Sequence, residues 1–123
     1  MTQPESGDAR AALGRRAEAL VAAHLEQQGF AIVDRNVRVG RLELDIIARK
    51  RQLLVFCEVR ARSHDRFMAP AQSIDARKVA RVRQAAAQWL KSAKLRTTDI
   101  RFDAAAVVFD EPEPRLTYYE GAF

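Results

Sequence analysis

The stretch that decides the fold runs from Gly40 to Arg62, GRLELDIIARKRQLLVFCEVRAR. Two runs rich in β-branched, aliphatic and aromatic residues flank the charged Arg49-Lys50-Arg51-Gln52, which is the pattern of an antiparallel hairpin. If that tetrapeptide is the turn, Ala48 pairs with Leu53, and Glu43 then faces Glu58 across the strands. Alternation places Leu42, Leu44, Ile46, Ala48, Leu53, Val55, Cys57 and Val59 on a face without charge. The other face carries Ile47, Leu54 and Phe56 near the turn, and Glu43, Asp45, Glu58 and Arg60 away from it. A slip of one residue would bury Glu58 among apolar groups, so the parity is determined, while a slip of two stays open.

Outward from the hairpin, Ala17, Leu20, Val21 and Leu25 recur at helical spacing, predicting a helix over Ala9 to Gln28 that stops at Gly29. Phe30 to Val39 reads as a strand that turns polar through Asp34, Arg35, Asn36 and Arg38. Residues 1–8 have no periodicity and read as a loose arm. Downstream, SHDRFMAPAQ reads as a loop. Ser73 is a candidate N-cap for a helix from Ile74 to about Leu95, with Val79, Val82, Ala86, Trp89 and Leu90 as its stripe. Ile100 to Phe109 is the last core strand, followed by a turn at Glu111-Pro112-Glu113-Pro114 and a strand through Leu116, Tyr118 and Tyr119. The expected fold is α/β: helix, three-stranded antiparallel meander, helix, strand, in a mixed sheet flanked by helices. One domain over residues 9–123 accounts for it.

Composition agrees with a single globular domain. The chain has 123 residues, 48% apolar and 30% charged, which leaves no room for a second core. No apolar run approaches the ~18 residues of a membrane span, and MTQPESGDAR lacks the apolar core of a secretory signal. A cytoplasmic protein without a membrane partner is expected. The single Cys57 excludes an internal disulfide framework and a zinc-thiolate cluster. No phosphate-cradling glycine loop occurs, which argues against NTP hydrolysis. Twenty-one basic residues against sixteen acidic ones give +5, a surplus that suits a polyanion and equally suits plain solubility.

Against that basic background, three carboxylates on one hairpin face need an explanation. Like charges across a strand pair repel, and in a half-buried site one should have its pKa driven up. Mg²⁺ or Mn²⁺ would offset this, since these ions take one or two carboxylates plus water and phosphate oxygens. Such an ion polarises a phosphodiester and activates water, and Arg60 on the same face could stabilise charge building on the phosphorus oxygens. The competing reading is a solvated strand face with local salt bridges. Ile47, Leu54 and Phe56 weigh against it, because they require a cover, and Arg35, Arg38, Arg41 and Arg62 would frame the covered groove with phosphate-binding charge. Lys78 and Arg81, one helical turn apart, are candidates for backbone phosphates, although an exposed helix face would look identical. His24, Trp89, Cys57 and Asp103 read as packing or structural residues. His64 lies in a polar loop, where nothing requires it to act.

The early helix with Glu18, Asn36-x-Arg38, Glu43-Leu44-Asp45-Ile46-Ile47-Ala48, Val55-Phe56-Cys57-Glu58-Val59-Arg60-x-Arg62, the helix with Lys78, and Arg101-Phe102-Asp103 together resemble the YraN family of uncharacterised bacterial proteins. That family is similar in fold to PD-(D/E)xK nucleases, particularly Holliday-junction-resolvase-like and restriction-endonuclease-like enzymes. The likeness runs from Gly14 to Phe109. It implies a metal-dependent DNA endonuclease with Asp45 and Glu58 as metal-binding acids, the Val59 carbonyl as a further ligand and Glu18 as the helix glutamate brought to the metal. A pair with Arg15 explains Glu18 equally well. Glu43 is extra to the minimal motif and could tune the site or pair with Arg41 or Arg60. The chain departs from the superfamily at Arg60, which stands where lysine is usual; arginine stays protonated and is no general base, though it can orient a phosphate. The resolvase likeness further implies branched DNA as substrate and leaves a homodimer open. The alternatives from other classes are a non-catalytic nucleic-acid-binding or adaptor domain on the same fold, and a protein scaffold.

Overall fold

In the computed structural model, which describes residues 7–63, 76–96, 99–110 and 112–123, seven elements follow one another. They are α1 (Gly7–Gln27), β1 (Ala31–Val39), β2 (Leu42–Lys50), β3 (Leu53–Arg62), α2 (Ala76–Ala93), β4 (Asp99–Val108) and β5 (Arg115–Tyr119). The strands form one sheet in the order β1-β2-β3-β4-β5. Neighbours are antiparallel except β3 and β4, which run parallel over their whole length from Leu53 opposite Asp99 to Arg62 opposite Val108. A parallel pair needs a crossover, and α2 lies in that connection. The protein is therefore an α/β fold, a mixed five-stranded sheet flanked by two helices, with the expected order of elements.

Each helix covers one face of the sheet. Ala17, Val21 and Leu25 of α1, at four-residue spacing, bury against Ile46, Ala48, Val55, Cys57, Ala105 and Val107. Leu20, expected in that stripe, is instead exposed, because it lies off the line that the other three define. On the other face Val82, Ala85 and Ala86 of α2 meet Ile47, Leu54, Phe56 and Phe102, and Trp89 sets its ring edge-on to Phe56. The helix ends differ slightly from expectation. The first begins at Gly7, so Gly7 and Asp8 belong to it and not to an arm. The second spans Ala76–Ala93; Ser73, Ile74 and His64 lie outside the described residues. Gly29 stops α1 at a φ of 95°. Its amide bonds to the Glu26 carbonyl and the Phe30 amide to that of Leu25, the paired bonds of a Schellman cap.

Two expectations about the hairpin are corrected. Its turn is the two residues Arg51 and Gln52, with Lys50 opposite Leu53 and Ala48 opposite Val55, so the register is shifted by two from the Ala48–Leu53 pairing. Arg51 adopts a φ of 55°, the left-handed conformation that a tight hairpin turn requires at its first position. Parity is preserved, but Glu43 no longer faces Glu58. It stands opposite Arg38 on β1.

The second correction concerns the apolar face. Leu42 and Leu44 do not join Ile46 and Ala48 under α1; they pack into the cluster under α2. In β1 the register shifts between Ile32 and Asp34, after which Arg35 stands opposite Ile46 on the α1 side while Val37 and Val39 pack on the α2 side. Alternation thus breaks in both strands between the Arg35–Ile46 and Val37–Leu44 pairs, at Asn36 and Asp45. Asn36 has a φ of 52°, which asparagine tolerates better than other non-glycine residues. The sheet is kinked there.

At the far side of the sheet, Asp103 is fully buried and accepts from four donors. Arg101 contributes Nε and Nη2 at 2.9 Å each, Tyr118 its hydroxyl at 2.6 Å and Gly121 its amide at 2.9 Å. This network ties β5 and the C-terminal turn to β4, and it satisfies the carboxylate as a buried charge requires.

Candidate functional site

The kink brings residues from five elements to one place. Asp45 lies where β2 and β3 part: the paired ladder reaches Ile46 opposite Cys57 and goes no further, and Asp45 Oδ2 accepts a 2.8 Å hydrogen bond from the Val59 amide. Its carboxylate thereby replaces a strand partner for that amide and is held in one orientation. Glu58, the next residue of β3 toward the turn, shares a face with Leu54 and Phe56 and is only 4% exposed. Above it Lys78, in the first turn of α2, sets its ammonium 3.5 Å from Glu58 Oε1. From the opposite face Glu18 of α1 hydrogen-bonds the Asn36 side chain and is close enough to Asp45 to repel it.

The electrostatics record an excess of negative charge. Burial, and then the neighbouring Glu58 carboxylate, push Asp45 from 3.8 up to about 7. Glu58 is raised as well: burial outweighs the Lys78 and Arg60 charges that pull the other way. Glu18 is raised by burial and by Glu43, against its bond to Asn36. Three carboxyls from three elements are therefore all harder to ionise than usual, and at Asp45 both Glu58 and Glu18 add to the cost. Among the described residues, two buried atoms here also lack hydrogen-bond partners, Glu18 Oε1 and Arg60 Nε. Orphaned polar atoms are rare in protein interiors, and here an acceptor and a donor flank the same acid pair.

This donor set suits a hard divalent cation held by few protein ligands. Among the described residues no three acidic, histidine or cysteine side chains gather as a closed metal cage. Asp45 and Glu58 instead offer two carboxylates, the number that could hold a Mg²⁺ ion whose shell is completed by water and phosphate oxygens. The expected trio of acids on one face becomes this pair, with Glu18 behind it. Glu43 lies between Leu42 and Leu44, is exposed, and acts on Glu18 from the α1 side.

The basic residues separate into three groups. Arg60, half-buried, and Lys78 belong to the acid pair. Arg35 is exposed beside Glu18, and Arg41 and Arg81 line one groove between the β1–β2 turn and α2. Arg38 and Arg62 are exposed elsewhere, Arg38 opposite Glu43 and Arg62 at the end of β3. Sequence reasoning did not find Asn36 as a partner of Glu18, nor Lys78 as the counter-ion of Glu58. A non-glycine residue able to take positive φ in mid-strand was the signal for the first; for the second, nothing local in sequence links two residues twenty positions apart.

The family model for Uncharacterised protein family UPF0102 matches residues 17–107, the span that holds all of these acids. The chain belongs to the UPF0102 family. This is the family that the motif pattern resembled, also called YraN. The UPF0102 protein of Anaeromyxobacter dehalogenans is 43% identical over 117 residues, covering 95% of this chain and 87% of that one. A UPF0102 protein of Sorangium cellulosum is 48% identical over 107 residues, covering 85% of this chain and 74% of its own. Among solved structures, Pyrococcus furiosus SfsA in complex with Ca²⁺ aligns with 90% of this UPF0102 chain at a TM-score of 0.40 and 18% identity. The chain spans 63% of that protein's length. No helix among the described residues is long and apolar enough to cross a membrane.

Proposed function

We propose that this protein is a Mg²⁺- or Mn²⁺-dependent DNA endonuclease that hydrolyses phosphodiester bonds, with branched DNA as the substrate to test first. The observation that carries the reading is the Asp45–Glu58 pair, two carboxylates assembled where the protein leaves their charge incompletely neutralised. Asp45, Glu58 and the Val59 carbonyl would hold the ion, with Glu18 able to approach from α1. A divalent cation bound there supplies Lewis-acid polarisation of the phosphodiester. The chain's own part is positioning. The Val59 amide fixes Asp45, Lys78 holds Glu58, and Arg60, with a donor to spare, is placed to orient the incoming phosphate and stabilise its developing charge. Arg35, Arg38, Arg41, Arg62 and Arg81 supply electrostatic attraction for the backbone. The order of elements and the acid pair on the hairpin also support the restriction-endonuclease-like resemblance noted from the motifs.

A second reading, a nucleic-acid-binding or adaptor domain without turnover, is favoured by Arg60, which stays protonated, and by the Lys78 ion pair that already engages Glu58. One experiment separates them. Mg²⁺ and Mn²⁺ are titrated into the wild type, Asp45→Ala and Glu58→Ala, following metal binding and cleavage of branched, duplex and single-stranded DNA. The nuclease reading expects metal binding and cleavage that both variants lose. A wild type that binds no metal sinks it, and metal-independent DNA binding without cleavage supports the adaptor.

A further inference from the structure

A groove of about 200 Å³ lies between the β1–β2 turn and α2, where Arg81 is one helical turn along from Lys78, the ion-pair partner of Glu58. Its polar lining is Arg41 from the turn and Arg81, Gln84 and Gln88 from the helix, and its apolar floor includes Leu42 and Ala85. Among the described residues no acidic residue lines it. Among the described residues, none of these four polar side chains is engaged in a hydrogen bond or ion pair, whereas other arginines are committed: Arg101 to Asp103, Arg115 to Asp110, Arg49 to two carbonyls. Two guanidiniums and two amides with unspent donors therefore converge on one partly apolar hollow.

The placement gives the hollow a direction. Lys78, Arg81, Ala85 and Gln88 follow at three- and four-residue intervals, so they form one stripe on α2. The stripe starts at Glu58, where Lys78 is anchored, and extends about 15 Å along the helix axis, roughly four steps of a nucleic-acid strand. Guanidiniums bind phosphate oxygens in pairs, carboxamides offer both a donor and an acceptor to base edges, and an apolar floor accepts the face of a sugar or base. We infer that this groove seats the nucleotides flanking the phosphate at the acid pair, with Arg41 and Arg81 clamping the backbone and Gln84 and Gln88 reading the adjacent base. The inference rests on the nuclease reading above and deepens it, by assigning the substrate strand a path and the helix a role in sequence preference.

The test uses the cleavage-blocked Asp45→Asn background for binding and the otherwise wild-type protein for cutting, with end-labelled single-stranded, duplex and branched oligodeoxynucleotides as probes. Removing Arg41 or Arg81 (to Ala) should weaken binding about tenfold and flatten the slope of log affinity against log salt by about 0.7–0.9 each. Gln84→Ala and Gln88→Ala should leave that slope unchanged and relax base preference at the position next to the cut. Metal affinity should not change in any of the four. Wild-type affinity and salt slope in the Arg41→Ala/Arg81→Ala double variant, in a protein that binds and cuts, would overturn the groove and leave the nuclease reading standing. A wild type that binds none of the probes overturns both.

Discussion

Removing the charge of Asp45 while keeping its acceptor should stabilise the metal-free protein above neutral pH. Asparagine is nearly isosteric and retains a carbonyl oxygen for the Val59 amide, which lies 2.8 Å from Asp45 Oδ2. In the folded protein burial, then Glu58, lift the carboxyl from 3.8 to about 7; in the unfolded chain it returns to 3.8. Between those values the folded state holds the proton and the unfolded state has released it, so rising pH favours unfolding. The stability linked to the protonated carboxyl is complete below 3.8 and lost as pH rises through about 7. Each pH unit inside that window is worth about 1.4 kcal/mol. From about pH 5 to about pH 8 this one group therefore takes about 2–3 kcal/mol from the wild type and nothing from Asp45→Asn. Urea denaturation of both proteins in chelator-treated buffer at the two pH values measures the difference. The variant should be the more stable at the higher pH, and a saturating divalent ion, at about a hundred times its Kd, should return about 2.7 kcal/mol to the wild type alone. An identical pH dependence of the two proteins would refute the claim that Asp45 is held at a cost beside Glu58.

Other outcomes follow from named contacts. Lys78→Met should cost about 1–3 kcal/mol near pH 8 by removing the ammonium paired with Glu58 and leaving only the Arg60 charge beside it, while Lys78→Arg should restore most of that loss in the same denaturation assay. Asn36→Gly keeps the left-handed conformation but deletes the bond to Glu18, so it should cost less than Asn36→Val, which loses both; the ranking is read from melting temperatures. Asp103→Ala should cost about 3–5 kcal/mol, because it removes the shared acceptor of Arg101, Tyr118 and Gly121 and leaves Arg101 only its Glu120 pair, and hydrogen exchange should rise first in β5. The Cys57 thiol is pushed up by burial, so alkylation should be negligible in the native protein and appear only on denaturation.

The elements were legible because their signals are local. Hydrophobic spacing located both helices to within two residues wherever they are described, and Gly29 marked the end of α1. What failed was pairing and handedness. Three charged residues and a glutamine in a row can be a four-residue turn, or a two-residue turn with its flanks paired, and the left-handed φ of Arg51 marks the second. Strict alternation likewise assumes a regular strand, so it misassigned Leu42 and Leu44 as soon as Asn36 and Asp45 broke the pleat. Asp45 and Glu58 were found as acids on parity alone; their relation to Lys78 and Glu18 depends on helices that sequence could not dock.

That break in the pleat is also the strongest reason to regard the acids as more than a solvated strand face. A hairpin whose carboxylates only kept it soluble would do best with regular strands, each acid facing water near its usual pKa. Here the fold does the reverse. It puts asparagine in a left-handed conformation in mid-strand, ends the β2–β3 ladder one pair short of Asp45 and spends the carboxylate on the Val59 amide. Both helices then close over the place, leaving Glu18 Oε1 and Arg60 Nε without hydrogen-bond partners among the described residues. The left-handed asparagine, the shortened ladder and the orphaned atoms each lower the stability of the isolated chain, and positive charge arriving at Asp45 and Glu58 would relieve the electrostatic cost of burying the two acids. On the proposed reading, the kink would tie the fold to metal occupancy. Straightening it, by a β-branched residue at position 36, should separate Glu18 from Asp45 and weaken metal binding even though residue 36 supplies no ligand.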